Sequence, residues 1–121
     1  MKEVHTITHI EIPAPDLHKA IQFYAELFNW EIDIQPGGNY AYFRITGTAS
    51  GGGLDANLRP AAKNSGVRIT IDVADIDAKL KEIESKGGKI ILGKTQISGG
   101  HGYYASFLDP NANELQLHSS T

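Results

Sequence analysis

Hydrophobic and polar positions along the chain switch between two periods, and they do so twice. From Thr8 the stretch "THIEIP" alternates with period two, placing Ile10 and Ile12 on one face of a strand and His9 and Glu11 on the other. Pro13 and Pro15 end that strand, because proline has no N–H to donate to a ladder. Asp16 stands where a helix N-cap belongs. Leu17, Ala20, Ile21, Tyr24, Leu27 and Phe28 then follow the i, i+3, i+4 spacing of a buried stripe, which predicts a helix through Phe28. The pattern returns in "VRITIDV", which sets Ile69, Ile71 and Val73 against Arg68, Thr70 and Asp72. Asp75 takes the cap, Ile76, Leu80 and Ile83 form the stripe, and Gly87 and Gly88 suit a left-handed helix end.

The two passages keep a constant offset. His9 and Arg68, Ile10 and Ile69, Asp16 and Asp75, and Ile21 and Leu80 each lie 59 residues apart, so the chain is an internal repeat. Behind each helix come three further strands joined by glycine-rich turns: "WEIDIQ", "YAYFRITG" and "GGGLDANL", then "KIILGKTQI", "GYYASFLDP" and "ELQLHS". Each half therefore reads strand–helix–strand–strand–strand. We expect one α+β domain over 1–121, with module one at 1–58, a linker at 59–66 and module two at 67–121. A short, curved sheet with one uncovered face needs a partner half.

Composition narrows the chemistry more than the fold. At 121 residues the chain can build one real core but not two ordinary domains. It has no cysteine, which excludes disulfides, thiolate catalysis and cysteine-held zinc or iron–sulfur sites. A net charge of -3 gives no basic field for nucleic acid. No apolar run approaches the roughly 20 residues that span a bilayer, and "MKEVHTITHIEI" lacks the apolar core of a secretory signal. The expected partners are thus neither nucleic acid nor membrane, and the expected location is the cytoplasm.

Two βαβββ modules, the opening "HIEIPAPDLHKAIQFYAELFNW" and the closing "FLDPNANELQL" resemble the vicinal oxygen chelate superfamily. That group includes glyoxalase I, bleomycin-resistance proteins, extradiol dioxygenases and fosfomycin-resistance enzymes. The resemblance implies paired modules whose curved mixed sheets enclose a cavity, a homodimer and, in catalytic members, a divalent cation held by first-strand histidines and fourth-strand carboxylates. On this chain those four places fall on His9, Arg68, Gly53 and Gln116, the last counted seven residues beyond Asp109 of the "DP" turn. Only His9 is a good ligand: guanidinium has no free lone pair, and a neutral amide is a poor donor beside a carboxylate. A divalent metal at His9 would need displaced partners such as Glu11 and Glu114, each about 7 Å along its strand from the usual centre. No cofactor is therefore expected.

The same strand faces gather His9, Glu11, Arg68, Thr70, Asp72, Glu114 and Gln116, a set too polar for a core and suited to a ligand-lined cavity. Arg68 either pairs with Glu11, Asp72 or Glu114 or binds an anionic or carbonyl group. Alternation turns about half of the aromatics in "YAYFRI" and "GYYASF" inward. Tyr42 and Tyr104 are the candidates, with the choice between alternate sets left open by sequence. His101, in "SGGHGYY", lies in a glycine-rich turn able to form a mobile rim. The "GGHG" and "SGGG" runs open no helix and carry no lysine, so neither is a phosphate loop. Ala112 stands where relatives commonly have glycine, so Asn111 or Asn113 is expected to take the positive φ of that turn. No catalytic residue is named. The function expected from the resemblance is metal-free binding of a small aromatic or anionic molecule, as in the bleomycin-resistance branch. The alternatives are a metal-dependent lyase, isomerase or dioxygenase with displaced ligands, and a dimeric accessory module with a vestigial cavity.

Overall fold

A computed structural model of the protein describes residues 2–121. Ten elements run in order: β1 Ile10–Pro13, α1 Leu17–Phe28, β2 Glu31–Ile34, β3 Tyr40–Arg44, β4 Gly51–Asp55, β5 Thr70–Asp72, α2 Ile76–Ser85, β6 Lys89–Gln96, β7 Tyr103–Leu108 and β8 Glu114–Ser119. They divide into two compact units, Met1–Arg59 and Pro60–Thr121. Each unit has one helix on one mixed four-stranded sheet, ordered β1-β4-β3-β2 in the first and β5-β8-β7-β6 in the second. The first strand of each unit runs parallel to the fourth, and the remaining pairs are antiparallel.

Both helices begin where an aspartate can take a free N–H. Asp16 accepts from the backbone of Lys19 at 3.2 Å and Asp75 from that of Ala78 at 3.1 Å. Helix α1 buries Leu17, Ala20, Phe23, Tyr24 and Leu27, and α2 buries Ile76, Leu80 and Ile83. Trp30 completes the first core, stacked between Tyr24 at 5.0 Å and Phe43 at 4.5 Å. Ala105, Phe107, Leu115 and Leu117 supply the sheet side of the second. Trp30, Phe43 and Phe107 are therefore buried core residues.

The first strands are shorter than their alternation suggests. Gly52 pairs with Ile10 and Gln116 with Thr70, so His9 and Arg68 stand ahead of the paired stretches, level with Gly51 and Glu114, the first residues of β4 and β8. Residues 2–8 and 61–67, ahead of them, are exposed; Val67 is an apolar example at 94% exposure.

The "DPNAN" turn corrects the expectation for its positive φ. Ala112 itself takes it, at 67°. The Asp109 carboxylate accepts the N–H groups of Asn111 and Asn113 at 2.8 and 2.9 Å and the Asn113 side-chain amide at 2.9 Å. The Ala112 N–H donates to the Asp109 carbonyl at 3.0 Å. With both asparagines gripped, the residue between them must make the reversal, at a cost to alanine of about 1 kcal/mol.

Candidate functional site

The face of each sheet turned away from its helix carries the candidate chemistry. In the first unit the register sets Glu11, Gly53, Tyr42 and Asp33 in one row, with Gly51, Arg44 and Glu31 in the next. Gly53 has no side chain, and Tyr40, one rung away on the same face, leans into the space this leaves. A Cβ placed on Gly53 would collide with the Tyr40 hydroxyl. That hydroxyl donates to Glu11 Oε2 at 2.8 Å, and His9 Nε2 lies 3.1 Å from it and 3.4 Å from Glu11. Burial, and then the bond to the Glu11 carboxylate, push the Tyr40 phenol well above the usual tyrosine range. Tyr40 is held as a neutral donor.

Tyr42 stands beside this cluster, its ring edge-on to Tyr40 at 5.0 Å and to His9 at 6.3 Å, with half of the residue exposed. Along its other side runs an open groove of about 320 Å³, lined by Glu31, Ile32, Asp33, Tyr42, Phe43 and Arg44. Arg44 is not free there. It donates to Glu31 at 2.8 Å, Thr46 donates to the same carboxylate at 3.0 Å, and the two hydrogen bonds hold the Glu31 carboxyl below its ordinary range.

In the second unit Arg68 pairs with Glu114 at 3.2 Å, which decides among the partners open to it from sequence. The linker joins in: Asn64 accepts from Arg68 at 3.3 Å and its N–H donates to Glu114 at 3.3 Å. Thr70 donates to the amide oxygen of Gln116 at 3.2 Å. Asp72, His118 and Tyr104 form a row across β5, β8 and β7. His118 Nδ1 lies 2.7 Å from Asp72 Oδ1, and its Nε2 lies 2.7 Å from the carbonyl of His101. That carbonyl, and then the carboxylate, raise the His118 pKa above the ordinary histidine value.

The structure thus brings His9, Glu11 and Tyr42 together in one unit. In the other it couples Arg68 to Glu114, Gln116 to Thr70 and Asp72 to His118, with Tyr104 across from His118. Sequence reasoning did not select Tyr40 or His118. Each had a signal: it lies two residues from a chosen position, on the same strand face. Among the described residues no three His, Asp or Glu side chains stand together as a metal ion would require, and no helix is long and apolar enough to cross a membrane.

A family model described as the Glyoxalase/Bleomycin resistance protein/Dioxygenase superfamily matches residues 6–117. A glyoxylase-like domain-containing protein of Didymella fabae is 32% identical over 89 residues, 69% of either chain. Among solved structures, the genomically encoded fosfomycin resistance protein FosX of Listeria monocytogenes aligns with a TM-score of 0.79 at 19% identity, covering 98% of this chain and 94% of that one. A glyoxalase/bleomycin resistance protein/dioxygenase family enzyme of Burkholderia phytofirmans aligns at 0.77 and 18% identity, covering 94% and 98%. At these identities the structural likeness shows the fold alone.

Proposed function

The chain belongs to the Glyoxalase/Bleomycin resistance protein/Dioxygenase superfamily, and on that premise we propose that it binds a small aromatic molecule without a metal. The observation that carries this reading is the half-exposed Tyr42 ring, set between an open groove and the hydrogen-bonded His9, Tyr40 and Glu11. An aromatic ring with an apolar flank and a few convergent polar groups suits a planar ligand. An anionic ligand is the weaker choice, because Arg44 and Arg68 already serve Glu31 and Glu114.

The donor set supports the metal-free part. Of the four places that relatives use, His9 alone presents a good donor. The space in front of Gly53 is taken by the Tyr40 hydroxyl, Arg68 is itself a cation held by Glu114, and Gln116 is a neutral amide occupied with Thr70. These residues do not fit a divalent ion.

Thermal-shift and calorimetric screening with uncharged aromatic and with anionic compounds tests the reading. Aromatic compounds are expected to bind with chelator present, and Tyr42→Ala to weaken them about five- to tenfold, with Arg68→Ala leaving them unchanged. Binding that requires added metal, or that prefers anions and is lost in Arg68→Ala, overturns it.

A further inference from the structure

Among the described residues, one side chain, His118, reaches the turn between β6 and β7 with a hydrogen bond. The N–H of Ile97 donates to the carbonyl of Gly102 at 2.8 Å, closing a loop in which Gly99, Gly100 and Gly102 have φ of 87°, 78° and 87°. Glycines at positive φ give this segment little stiffness of its own. His118 reaches it from β8, Nε2 to the His101 carbonyl and Nδ1 to the Asp72 carboxylate, both at 2.7 Å. A peptide carbonyl and a carboxylate are both acceptors, so both ring nitrogens must carry hydrogen. A neutral imidazole has one N–H; only imidazolium has two. The approach is built into the backbone: a Cβ on Gly102 would lie 3.1 Å from His118 Nε2 and collide with the Ser119 carbonyl.

We propose that His118 is a protonation-dependent tether that, as imidazolium, bolts the 97–102 turn to β5 through Asp72 and releases the turn when it loses its proton. The titratable and charged groups around it are Asp72 on β5, Tyr104 opposite it on β7, His101 in the turn, and Glu114 further along its own face of β8, committed to Arg68. Asp72 is the anion in contact. On deprotonation the remaining N–H stays with the charged acceptor, the stronger of the two, and the His101 carbonyl loses its donor. Because the His118 pKa is raised, the tether is complete below the ordinary histidine pKa and is lost as pH rises through the higher folded value. This device does not depend on what the sheet faces bind.

NMR on the full chain tests it with two readouts, the ring nitrogen shifts of His118 and the exchange protection of the Ile97 amide. We expect a doubly protonated ring titrating above about 6.5, with Ile97 protection falling at least about fivefold across that titration, the size of a lost charge-assisted hydrogen bond. Asp72→Asn should move the step to lower pH, and His118→Gln should abolish it. A single neutral tautomer at pH 6, Ile97 protection that is flat through the wild-type titration, or an equal step in His118→Gln overturns the proposal. Should His118→Gln not fold, the two wild-type readouts decide alone.

Discussion

Gly53 and Tyr40 occupy one volume between them, and that exclusion shapes the first sheet's outer face. Any side chain on residue 53 must displace the phenol and break its bonds to Glu11 and His9. Gly53→Ala is therefore expected to destabilise the protein by about 1–3 kcal/mol, the usual cost of overpacking. In a Tyr40→Ala background the same change should cost clearly less, because the obstacle is gone. Urea denaturation of the four members of this cycle measures it, and equal costs in both backgrounds would show that Tyr40 is not the obstacle. The glycine was visible in sequence as a missing carboxylate. Its occupant was not, because alternation alone does not say how far a tyrosine one rung away will lean. Ala112 teaches the same lesson: the turn was legible, but the grip of Asp109 on both neighbouring asparagines was a matter of three-dimensional bonding.

At the scale of elements, local signals were read well and partner-dependent ones less so. Asp16 and Asp75 cap their helices as their positions require, since a cap involves only the next three residues. Asp75→Ala should cost about 1 kcal/mol, seen as a lowered denaturation midpoint, and an unchanged midpoint would mean the cap contributes nothing. Strand ends were less legible. The alternation of "VRITIDV" begins at Val67, whereas β5 pairs only over Thr70–Asp72, although Arg68 and Ile69 lie level with Glu114 and Leu115 of β8. The aromatic sides sorted in the same way. Trp30 stacks between Tyr24 and Phe43 in the core, while Tyr40 and Tyr42 turn to the other face, a division that depended on fixing the register of β3.

For the molecule as a whole, the repeat and the family were legible because both rest on patterns spread over most of the chain. The polar outer faces were legible too, since His9, Glu11, Arg68, Asp72, Glu114 and Gln116 alternate with residues that pack on the helices. What sequence left open was pairing: Arg68 had three acceptable partners, and only register and reach gave it Glu114. These pairings bear on the central claim, that a fold whose catalytic relatives hold a cation has here a polar and aromatic face in its place. Metal analysis of protein purified without chelators, followed by calorimetric titration with manganese, nickel and zinc, tests that claim most directly. The account predicts well under one equivalent of metal per chain and no saturable site involving His9. One equivalent per chain, lost in His9→Ala, would contradict it.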